Sequence, residues 1–589
     1  MSSGWYTTST AFLEALTEVG VDYVFANLGS DHPGIIEAYA RARDEGTADR
    51  FPELIICPHE SVAFSAAQGY AQVTGRAQAV VVHVECGTQN IGGMLHNAAK
   101  GRVPVLVFAG SSPYTQHGEL RGSRNEFIQW IQDVHDQRGI VRGYTKYDNE
   151  IRTGENVKQL VHRAVQLARS EPAGPVYLIG AREVMEQHLA PGLAGRPEYA
   201  LDRYAPLAPV GLAPEIAEQI ARAVAGAAHP VIVTSYLGRD PEAVPAVVEF
   251  AELLGIRVIE SVPMRCNFPA GHPLHAGYQW NAQQQNPTLA AADVVLVIGS
   301  DVPWIPSVNR PDADARVFVL DIDPLHEQMP LWHVPAEIFA RADPRTAVRQ
   351  LIHAVTGAGL AEHAAAAARR DAAAAEHEHR QVDRADRERP EPRAITPEHL
   401  VAAVREQLAG LDGEVIVLSE AITNYQVVSE HLRWERPGAL LGSGGGSLGW
   451  SAGAAIGVKL ARPEALVVSL VGDGSYLFGV PASAHWVAAR YQAPSLTVVL
   501  DNQGWKAPKQ STLGVHPDGV AAANDDFNVS FAPEADLPGV AAAAGGAWGR
   551  TIEAPDQLSG ALKEAIDTVR AGRSAVLSVH LPVAQQPRH

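Results

Sequence analysis

The sequence predicts an α/β protein built from three doubly wound parallel-sheet domains. The chain has 589 residues, which is too long for a single hydrophobic core. Short runs of consecutive apolar residues recur along it with helical patterns between them, as expected of strands buried on both faces of a parallel sheet. Glycine-containing turns follow several of these runs, at the edge where α/β sheets bind ligands. These three observations define the fold class.

The first domain is predicted to cover residues 1–185. Residues 12–19 have the apolar spacing of an amphipathic helix, and residues 23–25 have the pattern of a short strand. Continuous apolar runs follow at residues 79–82 and 103–108. Because neither run alternates with polar residues, both are typical of central strands in a parallel sheet.

A second domain is predicted for residues 205–355, with strands at residues 230–234, 294–299 and 317–321. No G-x-G-x-x-G motif follows any of these strands, so a dinucleotide site in this domain is unsupported. FAD binding in this domain is therefore an alternative that no sequence motif supports.

Residues 356–395 are rich in alanine and in charged residues, which predicts a solvated helix and a linker. The third domain is predicted to cover residues 396–589. It begins with Thr396 as a helix N-cap, followed by a proline in the first turn. Residues 585–589 are predicted to form a loose tail.

The composition is that of a globular protein, with 46% hydrophobic and 19% charged residues. A net charge of −19 argues against a nucleic-acid partner. Neither a signal peptide nor a membrane-spanning run is evident, so a cytoplasmic protein without a membrane partner is expected. The three cysteines, Cys57, Cys86 and Cys266, lack metal-site spacing and suit a reducing compartment.

The most specific motif is the turn Gly472-Asp473-Gly474-Ser475, followed after a helix-length interval by Asn502. Each part comes directly after a predicted buried strand. The carboxylate of Asp473 and the amide oxygen of Asn502 would share one cation at the edge of the sheet. Mg²⁺ prefers a few protein oxygens together with phosphate oxygens. The motif therefore predicts a magnesium–phosphate site.

This motif resembles the signature of thiamine diphosphate (ThDP)-dependent enzymes, in which G-D-G is followed by two asparagines. Asp501 replaces the first asparagine here, and Asn502 matches the second. The resemblance implies that Asp473, Asn502 and the backbone carbonyl of Gly504 bind Mg²⁺. It further implies that the diphosphate contacts Gly472, Gly474 and Ser475. The resemblance also extends to domain organisation: the three predicted domains match the pyrimidine-binding, central and diphosphate-binding domains of the pyruvate oxidase/decarboxylase group.

Two further segments resemble the cofactor site of this family. Glu60, in Pro58-His-Glu-Ser-Val-Ala, matches the acid that contacts the aminopyrimidine ring, although Pro58 replaces an arginine of the motif. In the glycine-rich run that begins at Gly442, the resemblance implies that the Gly446 carbonyl binds the pyrimidine and that Leu448 bends the cofactor. Asn424 would contact the diphosphate.

The substrate side resembles benzoylformate decarboxylase. The turn Asn27-Leu-Gly-Ser30-Asp-His32-Pro makes Ser30 a candidate for binding a substrate carboxylate, with Asp31 and His32 as alternatives. His83 matches a catalytic histidine that would move protons near neutral pH. His117, in a polar segment that could line the same cleft, is a further substrate candidate. Trp505, in the segment after Asn502, is another, because it could pack on the substrate.

The resemblance implies a ThDP- and Mg²⁺-dependent lyase or transferase that acts on a 2-oxo acid or 2-hydroxyacyl donor, most similar to acetolactate synthase. The alternatives are a 2-hydroxyacyl-CoA lyase, a benzoylformate-type decarboxylase and a flavin-dependent oxidase of the same architecture. An inactive relative would have lost Glu60 or Asp473, and both are present. The implied assembly is a homodimer or homotetramer with active sites at subunit interfaces, acting on a small carbonyl compound.

Overall fold

The computed structural model describes residues 5–190, 201–281, 284–332, 334–362 and 364–585. It contains three six-stranded sheets in which neighbouring strands are parallel, and helices flank each sheet. This confirms the predicted α/β fold with three parallel sheets. Within the described ranges, none of the helices combines the length and the apolar character needed to cross a membrane.

The first sheet has the strand order β2-β1-β3-β4-β6-β5. Its strands are β1 (Tyr23–Ala26), β2 (Glu53–Ile56), β3 (Gln78–Val82), β4 (Val105–Ser111), β5 (Tyr147–Ile151) and β6 (Val176–Ala181). Its helices are α1 (Thr8–Glu18), α2 (Pro33–Asp44), α3 (Glu60–Thr74), α4 (Val84–Asn90), α5 (Gly92–Lys100), α6 (Ile128–Ile131), α7 (Val157–Arg169) and α8 (Arg182–Met185).

The second sheet has the order β12-β11-β10-β7-β8-β9, which is the doubly wound order of a Rossmann-type fold. Its strands are β7 (Pro230–Thr234), β8 (Arg257–Ser261), β9 (His275–Gln279), β10 (Val294–Ile298), β11 (Arg316–Asp321) and β12 (Ile338–Arg341). The helices of this part are α9 (Pro214–Gly226), α10 (Ala243–Leu254), α11 (Pro287–Ala290), α12 (Pro344–Gly357) and the long charged α13 (Ala364–Arg387).

The third sheet has the order β14-β13-β15-β16-β18-β17. Its strands are β13 (Val415–Glu420), β14 (Leu440–Gly442), β15 (Leu466–Gly472), β16 (Leu496–Asp501), β17 (Trp548–Ile552) and β18 (Ala575–His580). Its helices are α14 (Pro397–Ala409), α15 (Tyr425–Leu432), α16 (Trp450–Ala461), α17 (Asp473–Phe478), α18 (Pro481–Arg490), α19 (Lys506–Val515), α20 (Val520–Asn524), α21 (Leu537–Gly545) and α22 (Pro555–Arg570).

The first and third sheets have the same strand order, so one topology occurs twice in the chain. In both sheets the direction of strand addition reverses beside the first strand, which lies between the second and the third. Open α/β sheets bind ligands at the carboxyl ends of strands around such a switch point. Ligand-binding edges are therefore expected at the ends of β1 and β3 in the first sheet and at the ends of β13, β15 and β16 in the third.

Helices α3 and α16 join the first and third sheets in one continuous hydrophobic cluster that includes the fully buried Trp450. Glycines make this close contact feasible. A Cβ atom on Gly69 would lie 2.3 Å from the Ala454 carbonyl oxygen, and one on Gly457 would lie 1.8 Å from the Ala66 carbonyl oxygen. Backbone atoms cannot move aside as the end of a side chain can, so both helices need glycine at their contact.

We expect Gly457→Ala to lower the free energy of unfolding by about 1–3 kcal/mol, the typical cost of overpacking a core. Gly560→Ala in α22 is the matched control, because a Cβ atom there meets nothing within 4 Å. Removing a glycine from an exposed helix stabilises it by about 0.5–1 kcal/mol. Thermal unfolding of both variants measures the two effects, and equal melting temperatures would contradict the packing argument.

Two local predictions need correction. Gln585 is not part of a loose tail, because it is buried and its side-chain oxygen accepts the backbone N–H of Phe527 at 3.2 Å. Residues 586–589 lie outside the described range. Helix α13 is not solvated throughout, since Arg369 and Arg384 are buried and Arg369 donates to the Leu254 carbonyl.

Candidate active site

The Gly-Asp-Gly turn lies at the carboxyl end of β15, where α17 begins at Asp473. Asp473 is 4% exposed, and both of its oxygens accept backbone hydrogen bonds. The N–H of Gly474 donates to Oδ1 at 2.8 Å, and the N–H of Gly504 donates to Oδ2 at 2.8 Å. The carboxylate therefore fixes the loop after β15 against the loop after β16.

The oxygens around Asp473 fit a divalent cation. Asn502 follows β16, and its buried Oδ1 has no hydrogen-bond partner among the described residues; the same holds for Oγ of Ser475. Burial raises the pKa of Asp473 above the usual carboxyl range, and the negative charge of Asp501 raises it further. A bound cation would satisfy the amide oxygen and offset both effects on the carboxylate. This donor set, all oxygen with few protein groups, is the one Mg²⁺ prefers.

The loop between β14 and α16 lies next to helix α5. The N–H of the exposed Gly446 donates to Nε2 of His96 in α5 at 3.1 Å, which holds this loop against α5. Leu448 is half-buried in the same loop. The buried carboxylate of Glu420, at the end of β13, accepts the N–H groups of Trp450 and Ser451 at the start of α16. This contact fixes the loop to the third sheet.

Asn424 is buried at the N-terminus of α15, at the edge formed by the end of β13. The structure thereby brings together, on one sheet edge, the predicted cofactor residues of the third sheet. The list of these residues is Asn424, Gly446, Leu448, Gly472, Asp473, Gly474, Ser475, Asn502 and Gly504.

Glu60 is the first residue of α3 and is 5% exposed. The side-chain amides of Asn27 and Asn90 donate to its two oxygens at 2.9 and 3.0 Å. A Cβ atom on Gly87 would lie 3.1 Å from Oε1, so the carboxyl group is enclosed on that side as well. Sequence reasoning missed both asparagines, although Asn27 opens the turn quoted above and Asn90 lies seven residues after His83.

The turn after β1 wraps around His83, which lies at the end of β3. A Cβ atom on Gly29 would lie 2.0 Å from Nδ1 of His83, so only glycine fits there. Ser30 has a buried hydroxyl without a hydrogen-bond partner in the described chain, and its carbonyl accepts from Arg182 at 3.2 Å. The two alternatives to Ser30 in this turn have other contacts. Asp31 pairs with His83, and His32 is buried against Phe108. Nε2 of His32 also lacks a partner among the described residues, but that ring is fully buried, whereas Ser30 is partly exposed. Ser30 is therefore the better placed of the two to meet a substrate.

The two remaining substrate candidates lie elsewhere. His117 is exposed in the loop after β4, with its backbone N–H bonded to Glu119 at 2.7 Å. The ring of Trp505 packs on Gly474, where a Cβ atom would lie 2.2 Å from it, and on Phe531 at 5.0 Å. No hydrogen bond or ring contact within the described ranges joins either side chain to His83.

Three family models match the chain. The N-terminal TPP binding domain of thiamine pyrophosphate enzymes matches residues 6–140, their central domain matches residues 217–351, and their C-terminal TPP binding domain matches residues 421–579. Thiamine pyrophosphate is another name for ThDP. The matched ranges include Glu60 in the first and Asp473 in the third.

Individual proteins similar to the chain span almost its whole length. Benzoylformate decarboxylase of Pseudomonas aeruginosa is 27% identical, with 95% of this chain and 96% of that protein covered. Sulfoacetaldehyde acetyltransferase of Rhodobacter capsulatus is 26% identical over 97% and 93% of the two chains. Acetolactate synthase of Bacillus subtilis is 24% identical over 94% and 90%.

Among solved structures, the fold is similar to that of a thiamine diphosphate-dependent 4-hydroxybenzoylformate decarboxylase from Rhodococcus jostii. The TM-score is 0.76 at 22% identity, and 98% of this chain and 99% of the other are covered. At this identity the likeness establishes the fold.

Proposed function

Because the chain belongs to the thiamine pyrophosphate enzyme family, we propose that it is a Mg²⁺-dependent carbon–carbon lyase that removes carbon dioxide from a 2-oxo acid. It is a ThDP-dependent enzyme of the acetolactate synthase and benzoylformate decarboxylase group. The observation that carries the decarboxylase proposal is the turn after β1. In it, Ser30, whose hydroxyl has no partner in the described part of the chain, stands between Gly29 and Asp31, and both of these residues contact His83.

The proposed cofactor site draws on two sheets. ThDP supplies the electron sink that accepts the electron pair of the broken carbon–carbon bond. Asp473, Asn502 and the Gly504 carbonyl would hold Mg²⁺, and the N-terminus of α17 would bind the diphosphate through its N–H groups. Glu60 would move a proton to and from the pyrimidine ring. Asn27 and Asn90 support this role by fixing both oxygens of that carboxyl group.

On the substrate side, Ser30 Oγ would donate a hydrogen bond to the substrate carboxylate, and His83 would deliver the proton that completes the product. Condensation with a second carbonyl compound, the acetolactate synthase-type alternative, would leave the same residues around the first substrate. The two outcomes differ in the product: an aldehyde for decarboxylation, a hydroxyketone for condensation. A 2-hydroxyacyl-CoA or flavin-dependent reaction stays an alternative without a supporting residue.

We further propose a homodimer or homotetramer with active sites at subunit interfaces. Exposed apolar side chains support this assembly on both parts that carry cofactor residues. Phe127 and Ile131 are 80% and 75% exposed beside the first sheet, and Phe478 and Val520 are 57% and 79% exposed beside the third. Phe127 and Ile131 are four residues apart at α6, so their exposed groups are neighbours, and adjoining exposed apolar groups of this kind mark interaction surfaces. A cytoplasmic location stays a prediction.

The decarboxylase proposal is tested by incubating the protein, ThDP and Mg²⁺ with a panel of 2-oxo acids. Carbon dioxide release is followed, and the second product is identified by chromatography. Aldehyde formation from an aryl- or alkyl-substituted 2-oxo acid supports the proposal. Condensation products only, or cleavage of 2-hydroxyacyl-CoA only, would overturn it.

With an accepted 2-oxo acid, Ser30→Ala is expected to raise KM by about 10-fold or more, because a hydrogen bond to a charged group contributes about 1.5–3 kcal/mol. The matched control is Ser469→Ala in β15, where the hydroxyl is likewise buried without a partner. It should leave KM unchanged. An unchanged KM for Ser30→Ala would remove Ser30 from the substrate site.

A further inference from the structure

Asp31 is a buried carboxylate next to the proposed substrate site. It is 3% exposed, and Oδ1 lies 2.5 Å from Nδ1 of His83 while Oδ2 accepts the N–H of Val84 at 3.1 Å. A Cβ atom on Gly110 would lie 1.9 Å from Oδ2, so β4 carries glycine where the carboxylate needs space. A buried carboxylate is costly unless a positive charge accompanies it. The partners that can supply this charge are the two histidines around it.

His32 does not supply that charge. Its Nδ1 lies 3.1 Å from Asp31, but the N–H of Gly29 donates to the same nitrogen at 3.0 Å, so Nδ1 carries no proton. Its Nε2 is buried without a partner among the described residues. Burial lowers the pKa of His32 below its ordinary value. The ring is therefore neutral, and the positive charge next to Asp31 belongs to His83.

His83 has an acceptor at each ring nitrogen. Nδ1 faces Asp31, and Nε2 lies 2.9 Å from Oε1 of Gln132, a buried residue that follows α6. A neutral imidazole has one N–H and can donate once, whereas an imidazolium donates to both acceptors. The hydrogen bond to Asp31 raises the pKa of His83 above its ordinary value, against the opposing effect of burial.

Of the other charged groups near this ring, Glu60 favours the same state, and Arg182 is bonded to the neighbouring turn. The negative charge of Glu60 at the start of α3 also favours the protonated ring, as does the hydrogen bond to Gln132. Arg182 of α8 binds the carbonyl of Ser30 on the neighbouring turn. The His83 side chain keeps 23% of its surface exposed, so it can exchange protons with solvent or substrate.

We propose that Asp31 and Gln132 are positioning residues that hold His83 as an imidazolium, which makes it the acid that ends the reaction by protonation. This inference rests on the proposed function and deepens it. The Nε2–H bond breaks, its proton forms a C–H bond with the electron pair on the carbon that lost carbon dioxide, and a neutral imidazole remains. Asp31 stays ionised throughout, and solvent returns the proton to Nε2.

The protonation state of His83 is measured directly by its reaction with diethyl pyrocarbonate, which modifies only unprotonated imidazole. The modification rate of the His83 peptide is followed by mass spectrometry from about pH 5 to 9, without any substrate. In the wild-type protein we expect half-maximal rate above pH 6.5, the ordinary histidine pKa. Half-maximal rate at or below that pH would overturn the proposal.

In Asp31→Asn, which keeps the size of the side chain, we expect the half-maximal pH to fall by at least about one unit, because a neighbouring opposite charge shifts a pKa by about 1–3 units. Gln132→Met should lower it by less. Asp321→Asn, at a buried aspartate of the second sheet, is the control and should change nothing. Equal half-maximal pH in wild type and Asp31→Asn would overturn the proposal.

Kinetics provide the second readout once a substrate is known. Because the imidazolium is the active form, kcat should fall as the pH rises through the pKa of His83, and in Asp31→Asn this fall should begin at a lower pH. A basic limb that does not move would show that Asp31 has only a structural role. If no 2-oxo acid is a substrate, the decarboxylase proposal fails, but the modification experiment still measures the protonation of His83. Failure of the proposed function is therefore distinguishable from failure of the inference about His83.

Discussion

Glu60→Gln is expected to lower kcat by about 10²–10⁴-fold, the usual contribution of a positioned acid–base group. Glutamine keeps the length of the side chain but cannot take up or release a proton. It also loses one of its two acceptors, so Asn27 and Asn90 can no longer both donate to it. Steady-state rates at saturating ThDP and Mg²⁺ measure the effect.

Two measurements separate this loss from unfolding. The melting temperature of Glu60→Gln should stay within a few degrees of the wild-type value, since the buried side chain keeps its shape. Glu85→Gln in α4 is the matched control, because Glu85 is also largely buried but contacts Gln89 and Cys86 instead of the two asparagines. It should retain most of the activity. A Glu60→Gln enzyme within tenfold of wild type would exclude Glu60 as the acid.

The second large effect is expected for Asp473→Asn. Mg²⁺ is held in proteins by one or two carboxylates together with phosphate oxygens, and this substitution removes the carboxylate of the Gly-Asp-Gly turn. Because altering a residue that merely supports a metal ligand already costs about 10–100-fold in affinity, loss of a ligand should weaken ThDP binding by at least about 100-fold.

A second prediction for Asp473→Asn concerns the stability of the metal-free protein. The pKa of Asp473 is raised in the folded protein, so the folded wild-type protein binds a proton at Asp473 more tightly than the unfolded protein does. Its stability therefore declines as the pH rises from the ordinary carboxyl range to the raised value. Asparagine does not titrate. Without metal, the melting temperature of wild type should therefore fall more between about pH 5 and pH 8 than that of Asp473→Asn. The acceptor that asparagine loses affects the variant at every pH, so only the pH-dependent difference is compared, and equal changes with pH would contradict the raised pKa.

The sequence predicted those features that are encoded locally. Buried strands such as Val294–Ile298 are continuous apolar runs, so they were located to within a few residues. Glu60, Asp473 and Asn502 belong to short motifs whose residue types and spacing indicate their chemistry, and the structure places each at the end of a strand or the start of a helix.

Features that depend on contacts between distant segments were not predictable in this way. Asp31 and His83 are 52 residues apart, and nothing in the spacing of either motif shows that the two turns face each other. From the sequence alone Asp31 is therefore only an alternative substrate group, whereas the structure shows it bonded to His83. Gln585 is a similar case: a polar residue near the end of a chain predicts a loose tail, but the loop at Phe527 buries it.

The order of strands is a further property that apolar runs do not reveal. Each run predicts a buried strand, but its neighbours are set by the connections and by helix packing. The repeated order of the first and third sheets became evident only from their pairing. This repetition explains why both sheets place candidate residues at equivalent edges: Ser30 and His83 on one, and Asp473 and Asn502 on the other.

The central claim is that Asp473, Asn502 and Gly504 bind ThDP through Mg²⁺. It is tested most directly by calorimetric titration of ThDP into metal-stripped wild-type protein, with Mg²⁺ and with a chelator. We expect saturable binding with Mg²⁺ and binding weaker by at least about 100-fold with the chelator, with Asp473→Asn weak in both. Equal affinity for ThDP with and without Mg²⁺ would contradict the claim.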